Sequence, residues 1–351
     1  MQWSPRDAEI RGRLASGLEA AGEDALSALR AAAALDPENP QWRMDLGLRE
    51  EIAGDLSSAA DSLLAAARLS RLYQPRYLLA GYYFRRENAD LCIRWSRAAL
   101  STAPADAAPV LNLLGRLLDP AALAAESLRQ PPALGRQFLS ILGSRGPADA
   151  ADKVALRLAQ NALNEDLPAI LGYANLLLAD GRAADAADLW NALCKRGLLP
   201  YEPLDAAAGR SLTDSGFHYA PLGSGFGWHD EGAPGLRAVR FEDLLRAEFS
   251  GDQRDDCVVV WQYVALVPGA RYRLHFAVQA DDPAAAQGLI WRLFYYPGRD
   301  GPWGPVDGDL TAGFRAPTAA ARLTLIYRRL PGTTRLTGPF SVSGLRLERL
   351  P

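Results

Sequence analysis

The distribution of apolar residues divides this sequence into two parts of different character. From about Asp24 to about Pro203, Ala and Leu recur at helical spacing, with short Pro or Gly breaks between the apolar stretches. From about Gly209 onward, short runs of Val, Leu, Tyr, Phe and Trp are separated by Gly, Pro and Asp turns. The pattern predicts an all-helical first part followed by a part built from strands.

A repeat length of 34 residues runs through the helical part. Gly47, Gly81 and Gly115 are separated by 34 residues each, and every one of them follows Leu or Ala. This period and pattern resemble the tetratricopeptide repeat family, in which each repeat is a pair of helices. The resemblance implies four to five antiparallel hairpins that form a superhelix, with the three glycines at close-packing positions between helices. Prolines after Gly115 predict a degenerate repeat there.

The second part contains seven predicted strands, and no helix-length segment interrupts them. This arrangement excludes a parallel sheet with crossover helices and favours a sandwich of antiparallel strands. The predicted strands are Leu244 to Phe249, Val258 to Val267, Tyr272 to Ala280, Leu289 to Tyr296, Leu310 to Arg315, Leu323 to Arg328 and Leu345 to Arg349.

One motif of the second part resembles a known family. WQYV at 261–264, PG at 268–269 and YRL at 272–274 resemble the hairpin of many carbohydrate-binding jelly rolls, which are galactose-binding-like β-sandwiches. More widely, GFGWH at 225–229, LRAEF at 245–249 and the terminal SVSGLRLERL resemble sandwich domains attached to repeat proteins of bacterial exopolysaccharide systems, and this resemblance covers roughly Asp214 to Pro351. It implies a multidomain α then β chain. Residues 1–208 would form a tetratricopeptide-like superhelix, and residues 209–351 an antiparallel β-sandwich of the jelly-roll type.

Strand parity predicts a ligand-binding face on this sandwich. Alternate side chains of a strand point to opposite faces. If the regularly spaced apolar residues pack inward, Trp261 and Tyr263 lie beside Arg273 and His275, and Arg292 adds a further donor. Sugars stack on aromatic rings and need convergent hydrogen-bonding groups, so these five residues predict a glycan site. The competing interpretation is that the two aromatic residues belong to the core or its rim.

Two further side chains of the second part carry predictions. Gln262 is predicted to be a buried polar residue that bonds a neighbouring loop. Trp303 lies in a Gly- and Pro-rich loop and is expected to be either a mobile aromatic lid or a loop anchor.

The helical part predicts a second binding surface. Tandem hairpins create an extended concave groove, and Tyr77, Asn112 and Asn175 would hold a peptide of a partner protein if they face that groove. The competing interpretation is packing between helices, which is favoured for Tyr77.

Charge and motif content narrow the remaining function classes. A net charge of −3 without a basic run argues against a nucleic-acid partner. Cys92, Cys194 and Cys257 lie too far apart for a metal motif, so we expect no metal ligands and no cofactor. Cys92 and Cys194 fall in predicted helices and are expected to be buried free thiols. The sequence leaves open whether a structural calcium ion is bound. No membrane span or signal peptide is recognised. The compartment is the bacterial cell envelope or periplasm if a leader was removed, and the cytoplasm otherwise.

These observations favour a non-catalytic adaptor that binds a partner protein through the repeats and a glycan through the sandwich, in exopolysaccharide assembly or export. The alternative is a purely structural scaffold whose sandwich docks protein rather than sugar. Burial of Trp261 and Tyr263 would favour that scaffold, and exposure would favour sugar binding. A glycoside hydrolase would need two carboxylates facing one cleft, and no spacing in the sequence argues for such a pair.

Overall fold

The computed structural model describes residues 7–104, 106–144, 149–241, 243–280, 288–295, 304–306 and 309–351. Within these ranges helices precede strands, which confirms the predicted α then β order. The helices are α1 (Ala8–Ala20), α2 (Leu26–Leu35), α3 (Pro40–Ile52), α4 (Leu56–Leu69), α5 (Tyr73–Arg85), α6 (Ala89–Leu100), α7 (Ala108–Leu117), α8 (Pro120–Arg129), α9 (Gly135–Gly143), α10 (Asp149–Asn161), α11 (Leu167–Ala179) and α12 (Ala183–Lys195). The strands are β1 (Leu236–Phe241), β2 (Leu244–Ser250), β3 (Asp256–Ala265), β4 (Arg271–Ala280), β5 (Leu289–Tyr295), β6 (Gly304–Pro305), β7 (Phe314–Arg315), β8 (Ala320–Arg328) and β9 (Thr337–Leu350).

Consecutive helices pack as hairpins, as the 34-residue period predicts. The pairs α1/α2, α3/α4, α5/α6 and α11/α12 are each in contact along the chain. In two of these hairpins, a residue with left-handed backbone lies in the turn between the helices. It is Gly54, with φ of 85°, before α4 and Glu87, with φ of 55°, before α6. The two positions are 33 residues apart, so the second repeat is one residue shorter in its turn. These features define a tetratricopeptide-like helical array.

Two of the prolines after Gly115 begin helical segments, Pro120 in α8 and Pro132 in a short 3-10 helix. Pro120 is the first residue of α8, where its missing N–H costs nothing because that group has no partner inside the helix. Asp119 caps this helix by accepting a hydrogen bond from the Ala122 N–H at 2.7 Å. α7 and α8 have ten residues each, against 12 to 14 in α3 to α6, and they contact each other little, which agrees with the prediction of a degenerate repeat at this place.

The repeated glycines differ in their surroundings. A Cβ atom added to Gly47 would lie 2.7 Å from Leu63 Cγ and 3.2 Å from the Ala59 carbonyl oxygen, which is too close for either contact. At Gly81 the same atom would meet only the Arg85 guanidinium, at 3.2 Å. Gly47 is therefore a close-packing position, as predicted, whereas the same prediction for Gly81 was wrong.

The strands form two antiparallel sheets. The five-stranded sheet has the order β1-β2-β9-β4-β7, and the four-stranded sheet has the order β3-β8-β5-β6. Buried side chains from both sheets join one hydrophobic core, including Tyr272 and Phe340 from the first sheet and Val264 and Leu323 from the second. The correspondence of these sheets to a carbohydrate-binding jelly roll stays a prediction.

The turn at Pro268-Gly269 connects two different sheets. β3 pairs with β8, whereas β4 pairs with β9 and β7, and no pairing joins β3 to β4. Ala270 donates a backbone hydrogen bond to Val267 across the turn, and Gly269 supplies the positive φ of 78°. The expected hairpin between β3 and β4 was wrong, since this turn takes the chain from the four-stranded to the five-stranded sheet.

The chain divides into two compact units, Met1–Ile141 and Leu142–Pro351. The second unit contains the last helices together with both sheets. The side chain of Asn191 in α12 accepts from the Leu204 N–H at 2.7 Å and donates to its carbonyl at 2.9 Å. The predicted boundary between residues 208 and 209 marks the change from helix to strand, whereas the compact units divide earlier along the chain.

Candidate functional site

The structure separates the five predicted glycan-binding residues into two groups. Trp261, Tyr263 and Arg292 lie on the outer face of the four-stranded sheet, because the residues that alternate with them point into the core. Arg273 and His275 lie on β4, in the five-stranded sheet. The predicted single patch of all five residues is therefore not formed. Assignment of β3 and β4 to one sheet caused this error.

The outer face of the four-stranded sheet combines aromatic and cationic side chains. Cross-strand pairing aligns Trp261, Thr324 and Arg292 in one row, and Tyr263, Arg322 and Phe294 in the next. We call these six residues the aromatic face. Arg292 was recognised in the sequence, whereas Arg322, Thr324 and Phe294 were missed. Their alternation within the apolar β5 and β8 segments was the available signal.

The Trp261 ring is already engaged within this face. His229 stacks on the indole with ring centroids 3.7 Å apart, and two backbone hydrogen bonds join His229 to Trp261. The Arg322 guanidinium lies over the indole at 5.1 Å, and Tyr263 meets it edge-on at 5.4 Å. The ring is therefore half-buried and does not form an open platform for a sugar, which weakens the predicted stacking role of Trp261.

Burial sets the protonation of the polar aromatic side chains here. Burial of His229 lowers its pKa to about 4, although a hydrogen bond to the Gly225 backbone acts in the opposite direction. The imidazole is therefore neutral near pH 7. Burial also raises the pKa of Tyr263, so that its phenol stays protonated at physiological pH.

Three polar atoms around Trp261 are buried without a hydrogen-bond partner in the described part of the chain. They are Trp261 Nε1, His229 Nε2 and Thr324 Oγ1. An unsatisfied buried polar group costs about 1–3 kcal/mol, so such groups usually bond water or a ligand. The indole N–H is a donor, an uncharged imidazole nitrogen without a proton is an acceptor, and the hydroxyl is both. This set is complementary to the hydroxyl groups of a polar ligand.

Gln262 occupies the position that the sequence predicts. Its side chain is fully buried, and its Oε1 accepts from the Thr213 N–H at 3.2 Å. The prediction of a buried residue that bonds a neighbouring loop is therefore confirmed. Trp303, by contrast, lies outside the described residues.

The predicted groove residues have three different environments. Tyr77 is half-buried and stacks on Tyr73 with ring centroids 5.6 Å apart, which matches the packing interpretation. Asn112 is exposed on α7 and stays a candidate for peptide binding. Asn175 is committed elsewhere, because its Oδ1 accepts from the Gly225 N–H at 2.7 Å. This bond occupies the Asn175 oxygen, and the peptide-binding role of Asn175 stays a prediction.

The helical array contains a groove that the sequence did not reveal. It lies between α1 and α3, has a volume of about 360 Å³, and its lining includes Leu48, Ile52, Glu19, Asp45 and Arg49. Ile52 is 76% exposed, which is unusual for a large apolar residue. Burial is the main cause that raises the pKa of Asp45, and the nearby Glu19 charge adds to it. The groove thus combines an apolar surface with two carboxyl groups.

Histidine and acidic residues form one further cluster. His218 lies between two carboxylates, with Nδ1 3.2 Å from Asp214 and Nε2 2.9 Å from Asp243. These two hydrogen bonds raise the pKa of His218, and the bond to Asp214 is the larger cause. Within the described ranges, no group of three or more His, Cys, Asp or Glu residues is placed to hold a metal ion.

Among the described residues, no helix is long and apolar enough to cross a membrane.

Comparisons with known proteins give weak similarities. No protein-family model matches the chain, and no curated protein matches it. Among solved structures, MamA protein is 16% identical with a TM-score of 0.32, and the match covers 54% of this chain and 92% of MamA. The APC/C hetero-tetramer Cut9-Hcn1 is also 16% identical with a TM-score of 0.32, covering 54% of this chain and 40% of that chain. Similarity at this level carries no argument about function.

Proposed function

We propose that this protein is a non-catalytic adaptor that binds a segment of a partner protein in the groove between α1 and α3. The groove itself is the observation that carries the proposal. It exposes Ile52 to solvent beside Leu48, although burial of such a side chain is favourable by about 1.5–3 kcal/mol. A partner that covers Ile52 would recover that free energy.

The charges of the groove indicate which segment it would hold. Glu19 is paired with Arg49 at 3.0 Å, whereas burial and the Glu19 charge both disfavour the ionised form of Asp45. A Lys or Arg side chain of the partner would relieve this repulsion. We therefore expect a peptide with an apolar anchor next to a basic residue.

The test uses peptides selected by display against the full chain, with affinity measured by calorimetry. Ile52→Glu should weaken binding at least about tenfold, because the apolar anchor loses its contact. Leu72→Glu is the matched control, since Leu72 is 70% exposed but lies outside the groove. Equal affinity of the two variants for every selected peptide would refute the assignment.

A second function, oligosaccharide binding at the aromatic face, is favoured by the three unsatisfied polar atoms around Trp261. These three atoms are buried, so sugar hydroxyl groups would bond them only after a side chain of the aromatic face moves aside, and Arg292 would add donors. In this proposal Trp261 contributes its N–H group, and the occupied ring plays no stacking role. A place in exopolysaccharide assembly or export stays a prediction from the family resemblance.

Thr324→Val tests this second function by removing one hydroxyl with little change of shape. Because that hydroxyl is buried and unpartnered, the variant should be at least as stable as the parent. On a glycan array, it should nevertheless lose at least about tenfold in affinity for the sugars that the parent binds. Ser211→Ala is the control, because Ser211 Oγ is also buried and unpartnered but lies outside the aromatic face. Failure of the parent to bind any glycan would exclude this function.

A further inference from the structure

The outer face of the five-stranded sheet contains a cluster of cationic side chains. Tyr272, Phe314 and Leu347 point into the core, so the residues that alternate with them on β4, β7 and β9 point outward. We call this set the arginine strip. Its members are Arg271, Arg273, His275, Arg315, Arg346 and Glu348.

The four arginines of the arginine strip outnumber its carboxylates, and the charge of Glu348 acts on Arg346 and Arg273 as well as on His275. Its single carboxylate, Glu348, lies 2.7 Å from His275, and this hydrogen bond is the main cause that lowers the pKa of Glu348. Arg271, Arg273 and Arg346 form no ion pair with any described residue. Other arginines of the same unit, by contrast, form ion pairs with carboxylates. The guanidinium of Arg328 lies 2.7 Å from Asp256, and that of Arg240 lies 2.7 Å from Asp230.

The strip also places like charges opposite each other. Arg271 pairs directly with Arg315 across β4 and β7, whereas Arg273 lies opposite Glu348 across β4 and β9. Like charges at directly opposed positions destabilise a sheet. An anionic partner would remove this repulsion and supply the carboxylates that guanidinium groups bind in a bidentate manner.

We propose that the arginine strip binds an acidic, extended peptide segment of a partner protein. Arg271 and Arg273 are two residues apart on one strand, so their side chains emerge roughly 6.6–6.8 Å apart, the spacing of alternate side chains in any extended peptide. A segment with acidic residues at alternate positions therefore matches the strip in both charge and period. A neutral polysaccharide fits less well, because none of the six residues of the strip is Trp, Tyr or Phe, whose large rings stack on sugars.

This surface is distinct from the proposed peptide groove and from the aromatic face. Its test uses the full chain and a fluorescent peptide of alternating Glu and Thr, with anisotropy measured at low and at physiological ionic strength. Arg271→Ala combined with Arg346→Ala should weaken binding at least about tenfold, because two exposed charge-assisted contacts are lost. The matched control combines Arg237→Ala with Arg254→Ala, which removes two exposed arginines outside the strip and changes the net charge equally.

Three outcomes would overturn the proposal. The first is no binding of the acidic peptide by the parent protein at low ionic strength. The second is an equal loss of affinity in the two double variants, or equal binding of a peptide with Gln in place of Glu. The third is strip-dependent binding of polygalacturonate or oligothymidylate without binding of the peptide, which would assign the surface to a different polyanion. All four substituted arginines are exposed, so loss of the fold is not expected, and circular dichroism checks it.

Discussion

At the scale of single residues, Gly47 and Gly81 show that equivalent positions in a repeat need not carry equal packing. A glycine inside a helix lowers helix stability by roughly 0.8–1 kcal/mol relative to alanine. A glycine therefore lowers stability at a helix position unless a larger side chain would clash with its neighbours there. The backbone of α4 and Leu63 leave no space at Gly47, whereas only the mobile end of Arg85 approaches Gly81.

Alanine substitutions at these two positions should therefore have opposite effects. Gly47→Ala should lower the free energy of unfolding by about 1–3 kcal/mol, because overpacking forces α3 and α4 apart. Gly81→Ala should be neutral or stabilising by up to about 1 kcal/mol, since the helix gains propensity and Arg85 can move.

Urea unfolding of the full chain, followed by far-ultraviolet circular dichroism, measures both changes. A stabilising effect of Gly47→Ala would contradict the close approach of α3 and α4. A loss of several kcal/mol for Gly81→Ala would show that this site is as tightly packed as Gly47. The period alone cannot make this distinction, because it records which residues recur and not what surrounds them.

At the scale of elements, burial along a strand was predictable but strand pairing was not. The alternation in β3 correctly places Val264 and Leu266 in the core and Trp261 and Tyr263 outside it, because inward and outward positions differ in polarity. The partner of a strand depends on long-range contacts, and both sheets present the same apolar inner surface. The Pro268-Gly269 turn suits a hairpin and an inter-sheet connection equally well, so the sequence could not separate Arg273 and His275 from the other site residues.

Short and polar elements were missed, and so were residues 337–344, the first part of β9. The predicted strand from Leu310 to Arg315 is reduced to Phe314–Arg315, and β1 (Leu236–Phe241) was not predicted. β1 contains Arg237 and Arg240 and none of its apolar residues is buried, so its hydrophobic signal is weak. β7 has two residues, too few for any periodicity.

At the scale of the whole chain, secondary-structure type and compactness give different divisions. The change from helix to strand near residue 209 was readable from composition, yet the second compact unit begins at Leu142. Aromatic contacts explain the difference. Trp190 of α12 stacks on Tyr201 at 5.5 Å and meets Phe226 edge-on at 5.9 Å, and Phe226 in turn contacts Tyr263 of β3. Contacts over such a separation in sequence leave no local signal.

This continuity predicts that the sheets need the last helices for full stability. A fragment of residues 209–351 lacks Trp190 and Asn175, so Phe226 keeps its contact with Tyr263 but loses its contact with Trp190, and the Gly225 N–H loses its acceptor. Trp190 and Phe226 are both fully buried, and exposure of Phe226 alone should cost about 1.5–3 kcal/mol. For a fragment of this size, that loss of free energy should lower the midpoint of thermal unfolding by roughly 3–12 °C relative to a fragment of residues 142–351. Scanning calorimetry of both fragments measures the difference. The longer fragment should unfold in a single transition, and equal midpoints would show that the sheets fold independently of α10–α12.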